Sequence, residues 1–368
     1  MDRHAAQAGL HRDHVRQEAV SHDTSPPPIA ITLGDGAGIG PEILLQLMRR
    51  ADNRADAVIY GSGHVMRLAA AQLTPDDPLP LQLIPLDQWR AGAPPPQPGA
   101  ARIVDVTSEM PPDARLQLAR MDAIPFGEEV AAFGHLQRHA LLAAIDDALA
   151  GRVRAICTAP LTKALFARAG LPVTGHTELL SERTRTPDAV MMLAGERLRV
   201  ALVTTHLPVS AISSHLTQEA IESTLRVTWR DLSTRWGIAN PRIAVAALNP
   251  HAGEQGNMGH EEDAVIRPAI EAARADGVLA EGPFPADTLF ARLRGDWPFD
   301  AVVCMYHDQG LIPLKLTHFG ASANITLGLP IVRTSVDHGT AYDIAGRGVA
   351  DAGSMQYALD LARRLASG

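Results

Sequence analysis

The chain has 368 residues, 46% hydrophobic and 20% charged, enough for one large α/β unit or two domains with a substantial core. A formal net charge of -8 gives no global field that would draw nucleic acid or an anionic membrane. Two cysteines without CxxC spacing exclude a disulfide framework, no apolar run nears the roughly 20 residues of a membrane span, and the N-terminus lacks the apolar core of a secretory signal, so the cytoplasm is expected.

Residues 1 to 27 are polar, carry four histidines and close on Pro26 and Pro27, which predicts a mobile, disordered extension. Order is expected from a strand at Ile29 to Leu33. The loop from Gly34 to Gly40 follows, and Pro41 and Glu42 open a helix. A second strand is predicted over 57 to 60 and a helix over 65 to 72. The Pro/Gly/Ala-rich stretch from Ala91 to Ala100 reads as a surface loop. Further on come a helix over 136 to 150, a strand over 153 to 158 stopped by Ala159 and Pro160, and a short helix. Strands near 189 to 193 and 198 to 204 precede a helix over 217 to 236. A strand at 242 to 248, a helix at 261 to 275 and a strand at 301 to 306 complete the alternation. Such alternation predicts a mostly parallel α/β architecture. Cys157 and Cys304 fall inside predicted buried strands and read as core thiols.

Three apolar runs each end on a histidine: 199 to 206, 243 to 251 and 301 to 307. Continuous apolar runs suit buried parallel strands, and ligands gather past the carboxyl ends of such strands. His206, His251 and His307 are therefore candidate ligands of one divalent metal with an open position. Any one of them alone would be an ordinary hydrogen-bonded strand-end histidine. Whether a single chain supplies all three is left open by the sequence.

His176 and Thr177 follow Gly175 at a helix start, where Thr177 can cap the helix or the pair can face an anion. The loop from Asn249 to Gly259 is a connector or a lid. Asp308 stands beside His307 and can orient its imidazole, touch the metal or accept a proton. Lys315 and Arg333 are cations in apolar company, suited to a small anionic substrate or to structural ion pairs. The small residues of the 337 to 348 run suit backbone approach to a flat ligand. The 34 to 40 loop lacks G-x-G-x-x-G spacing and a P-loop lysine, so a plain Rossmann assignment is unsupported.

Several stretches together resemble the 4-hydroxythreonine-4-phosphate dehydrogenase family. They are Gly34 to Glu42, Gly175 to Glu178, Thr204 to Pro208, Asn249 to Glu254, Pro285 to Thr288, Tyr306 to Gly310 and the run from Asn324 to Gly348, spanning nearly everything after residue 28. The resemblance implies an isocitrate/isopropylmalate dehydrogenase-like fold, two α/β domains around a central cleft. The expected division is 28–130 together with 300–368 as a cofactor domain, and 131–299 as a substrate, metal and dimerisation domain.

The family's activity would be the NAD- or NADP-dependent oxidation of 4-phosphooxy-L-threonine in pyridoxal phosphate synthesis, with decarboxylation of the resulting β-keto acid. By motif, His206, His251 and His307 resemble its ligands to a divalent zinc, magnesium or cobalt ion, completed across the interface of a homodimer. His176, Thr177, Lys315, Asn324 and Arg333 resemble its substrate contacts. His338, Gly339, Thr340 and Ala341 resemble the nicotinamide-dinucleotide loop. Asp308 and Lys315 are the candidate catalytic groups.

Gly36 stands where the family usually has proline, which would loosen the first loop. The 311 to 316 and 341 to 344 stretches lean towards paralogues that oxidise D-threonate or D-erythronate 4-phosphate. A more distant relative acts on a dihydrodiol dicarboxylate, and the presence of Lys315, Asn324 and Arg333 argues against it. A metal-dependent hydrolase or aldolase, or a metabolite-binding protein without turnover, are rivals from other classes; the 338 to 346 run favours a dehydrogenase.

Overall fold

The computed structural model describes residues 26–172, 175–295 and 297–367; the extension expected at the N-terminus lies outside them up to residue 25. Among the described residues, twelve strands form one sheet. They are β1 Ile29–Thr32, β2 Ala57–Gly61, β3 Leu81–Pro85, β4 Ala101–Asp105, β5 Ala155–Thr158 and β6 Val190–Gly195. The rest are β7 Arg199–Leu202, β8 Arg242–Ala246, β9 Leu279–Phe284, β10 Ala301–Cys304, β11 Ser322–Leu327 and β12 Val332–Ser335. Their spatial order is β3-β4-β2-β1-β5-β12-β11-β6-β7-β10-β8-β9.

The strand directions expose a feature that alternation alone does not reveal. β3, β4, β2, β1, β5 and β12 run parallel. β7, β10, β8 and β9 form a second parallel block. Between them β11 is antiparallel to β12 and to β6, and β6 is antiparallel to β7. The two blocks therefore point in opposite directions and meet at a mixed seam, β12-β11-β6-β7. The α/β class holds. The expected boundaries near 130 and 300 coincide with no gap in hydrogen bonding. β5 lies between β1 and β12, and β10 between β7 and β8.

Burial explains the apolar runs. Along β10, Ala301 and Val303 join the main core cluster, while Val302 and Cys304 join a smaller one on the opposite face. β8 alternates in the same way, with Ile243 and Val245 on one side and Ala244 and Ala246 on the other. Both faces are dry, so both parities are apolar. Cys157 and Cys304 are buried and unbridged, as core thiols should be.

The helices that matter for the cavity are Lys163–Arg168, His176–Thr184 and His307–His318. The last lies outside the elements expected from the sequence. Leu311 to Lys315 is one turn of a helix with Pro313 inside it, and Lys315 projects from that helix. Pro313 would ordinarily break such a helix. β9, β11, β12 and the C-terminal helix Gly353–Leu365 also lie outside the elements expected.

Candidate active site

A cavity of about 680 Å³ lies across the mixed seam. Register places its floor. Asn324 on β11 pairs with Leu193 on β6 and with Ser335 on β12, while Thr326 pairs with Met191. Residues two apart share a face, so Arg333 and Ser335, Asn324 and Thr326, and Met191 and Leu193 face the same side. All but Thr326 line the cavity. Most of the site thus stands on the face of the sheet. Only part of it sits past strand ends, where the histidine pattern had located it.

Arg333 is the most informative of these residues. It is 2% exposed. Its Nη1 donates to Thr326 Oγ1 at 3.1 Å and its Nη2 to Thr158 Oγ1 at 2.7 Å, while Nε has no partner among the described residues. Among the described residues it makes no ion pair. Burial holds its pKa down at about 10. A buried guanidinium with a free donor and no carboxylate is costly unless an anion completes it.

His176 opens its helix behind Gly175, which is the N-cap; Thr177 sits inside the first turn and does not cap. The capping donor-acceptor pair is instead Gly175 N donating to Glu178 Oε2 at 3.0 Å. Desolvation first, and the Arg333 charge second, push the His176 pKa well below the usual histidine value, so its imidazole is neutral at pH 7. Lys315 donates to the Asp337 carbonyl at 3.2 Å and also lines the cavity. His176, Thr177, Lys315, Asn324 and Arg333 are therefore brought together around one space.

The three histidines are not. His206 and His307 line the cavity with ring centroids 5.9 Å apart. Two imidazoles on one tetrahedral ion would stand roughly 5–5.5 Å apart, so this pair fits a shared metal with little adjustment. His251 is exposed and lies outside the cavity's lining, and the described residues of this chain contain no cluster of three metal-ligating side chains.

His251 opens a left-handed turn in which 251 to 255 all have positive φ, between 43° and 79°. Each non-glycine residue there costs about 1–2 kcal/mol. The buried Glu262 braces the turn, its Oε1 accepting the Leu248 and Asn249 N–H groups, both at 2.8 Å. A strained, braced loop that presents a histidine outward is the kind of conformation that functional sites retain.

Desolvation, then His307 and Lys163, lower the His206 pKa. Asp308 Oδ1 accepts from His307 Nδ1 at 2.7 Å, and faces a recess of about 210 Å³ on the far side of the histidine pair. It is absent from the lining of the main cavity, and its contact with His307 is that of an orienting carboxylate.

At the other rim, His338 and Gly339 border the cavity. The Thr340 carbonyl accepts from Ile39 N at 3.0 Å, and the Tyr342 hydroxyl donates to Asp35 Oδ2. Ala341 adopts a positive φ of 44°. The 338 to 346 run is thereby fastened to the first glycine loop. Gly36 is explained in the same region: a Cβ there would lie 2.4 Å from Phe133 Cε1. Phe133 occupies the space beside Gly36, and the loop is packed.

Lys163 and Glu178 also line the cavity, joined at 3.0 Å, although neither stood among the candidate site residues. A signal for Lys163 was available. The chain contains two lysines against 31 arginines, and both lysines border this cavity, whereas among the described residues only one arginine does.

The fold and the cavity define an α/β enzyme with a cation-lined cleft beside a histidine pair. The sequence matches the family described as pyridoxal phosphate biosynthetic protein PdxA over residues 53–362. A 4-hydroxythreonine-4-phosphate dehydrogenase from Ralstonia nicotianae is 47% identical over 355 residues, covering 92% of this chain and 97% of that one. The crystal structure of a 4-hydroxythreonine-4-phosphate dehydrogenase from Klebsiella pneumoniae is similar at 41% identity and a TM-score of 0.78, covering 92% of this chain and 99% of the other. A terephthalate 1,2-cis-dihydrodiol dehydrogenase from Burkholderia xenovorans is more distant, with 29% identity, a TM-score of 0.59 and coverage of 90% and 96%. The chain belongs to the PdxA family.

Proposed function

We propose that this protein is a 4-hydroxythreonine-4-phosphate dehydrogenase. It oxidises 4-phosphooxy-L-threonine with NAD or NADP to 2-amino-3-oxo-4-phosphooxybutanoate, which decarboxylates to 3-amino-2-oxopropyl phosphate. The single observation that carries the substrate class is Arg333, buried, charged and one donor short of satisfied. Arg333, Lys315, Asn324 and the neutral His176 bind the phosphate, with Thr177 in the adjoining helix turn. The 338 to 341 residues, tied to the first glycine loop, hold the dinucleotide so that its nicotinamide receives the hydride.

His206 and His307, with His251 from a second copy, would hold one divalent ion: zinc, magnesium or cobalt. Such an ion makes the substrate hydroxyl more acidic and steadies negative charge on its oxygen. Asp308 orients His307. Lys315 stands at the cavity wall, where it can also steady charge that develops on the substrate. The outward turn at His251 supports a homodimer with shared sites. So do Ile312 and Leu316 on His307–His318 and Phe319 just after it, an exposed apolar stripe at 58%, 81% and 86% exposure. Buried, unbridged thiols support a cytoplasmic setting.

The test is nicotinamide reduction by purified protein with Zn²⁺, Mg²⁺ or Co²⁺, NAD or NADP, and a panel of four-carbon phosphorylated acids. Reduction with 4-phosphooxy-L-threonine is expected. Turnover of D-threonate or D-erythronate 4-phosphate alone would move the assignment to the paralogues. Reduction with no panel member would overturn it.

A further inference from the structure

The scarcity of lysine decides where to look. With 31 arginines and two lysines, the chain meets nearly every need for a cation with a guanidinium. Lys315 belongs to the phosphate-binding set proposed above. Lys163 has no such role, yet it borders the same cavity at the start of Lys163–Arg168.

Its surroundings explain why an ammonium stands there. A Cβ on Gly175 would lie 2.8 Å from Lys163 Cε and 3.2 Å from Nζ. The lysine stem thus passes close against bare backbone, which a side chain at residue 175 would crowd. Glu178 holds the ammonium through Oε1 at 3.0 Å, and the Gly175 N–H holds Oε2 at 3.0 Å. The pair is half-exposed, 49% and 53% by side chain, so the bond is weak and exchangeable.

Besides Arg333 and Lys315, Lys163 is the one further lysine or arginine among the described residues that line the cavity, and His206 and His307 line it too. A phosphorylated hydroxy acid has two charged ends. With its phosphate on Arg333 and Lys315, its carboxylate is left to the remaining cation, Lys163.

We propose that Lys163 is a further substrate-contacting residue: its ammonium leaves Glu178 on binding and pairs with the substrate carboxylate, while Glu178 fixes its position in the free protein. This rests on the reading of the cavity as a phosphorylated-acid site. Two lysines also make the test unusually direct. Reductive methylation with ¹³C-formaldehyde, followed by peptide mass spectrometry, reports on each lysine separately. D-erythronate 4-phosphate is the probe, since it has both acid groups and no amine to consume the reagent.

Labelling of Lys163 and Lys315 is expected to slow together, about tenfold or more at saturation. Protection of Lys315 without Lys163 overturns the inference and leaves the cavity reading standing; protection of neither sinks both. In turnover, Lys163→Met is expected to raise KM for the acid about 10- to 100-fold, the range of a lost charge-assisted contact. Its KM for the dinucleotide and its unfolding temperature should stay at wild-type values. An unchanged KM for the acid, or a fall in kcat alone, overturns it.

Discussion

Replacing Arg333 by methionine removes a charge that the free protein holds at a cost. Burial lowers its pKa from 12.5 to about 10, equivalent to about 3 kcal/mol against the charged form. Two bonds to threonine hydroxyls offset about 1 kcal/mol each. Arg333→Met should therefore leave the unliganded protein within about 1 kcal/mol of wild type, although it alters one of the largest buried side chains. Binding should suffer far more. Loss of the anion's charge-assisted bonds costs on the order of 3 kcal/mol, more than a hundredfold in affinity. The penalty is fully present below the folded pKa of about 10 and fades only as pH rises from there towards 12.5, so stability between pH 6 and 9 should not register it. Denaturant unfolding and calorimetric titration with D-erythronate 4-phosphate measure the two quantities. A variant that unfolds several kcal/mol sooner while binding normally would show Arg333 to be structural and refute the argument.

Tyr342→Phe deletes the hydroxyl that donates to buried Asp35. Burial raises the Asp35 pKa and the Tyr342 bond opposes that rise, so the variant raises it further. A raised carboxyl pKa costs stability that is absent below pH 3.8 and grows as pH climbs through the folded value. Denaturant midpoints should therefore separate from wild type at pH 7, by about 1 kcal/mol, and converge towards pH 4. Gly36→Pro should destabilise by about 1–3 kcal/mol through collision with Phe133, and its cost in thermal unfolding should shrink when it is introduced into a Phe133→Ala background. If the metal site is shared between subunits, His206→Ala and His251→Ala are each inactive, but refolding them together in equal amounts should restore about a quarter of wild-type turnover. No recovery would place all three ligands in one chain.

Much of this protein is local and therefore legible in order of residues. Doubly buried strands such as β10 must be apolar at both parities, and Pro41 stands at the favoured first position of a helix, so those elements declare themselves. The long motifs name the family, and the clustering of His176, Thr177, Lys315, Asn324 and Arg333 follows from them. Direction is a different matter. Nothing local distinguishes β6 or β11 from a parallel neighbour, because strand polarity is set by which edge is free when the chain returns. That choice creates the seam whose face carries Asn324 and Arg333. Tertiary structure likewise turned Leu311 to Lys315 into a helix despite Pro313, since packing of Leu311 and Leu314 into the second core outweighs the lost backbone bond. Only folding separated His251 from the other two histidines, brought Lys163 beside Gly175 and set Phe133 against Gly36. Those are distances between segments far apart in the chain, and no spacing along it encodes them.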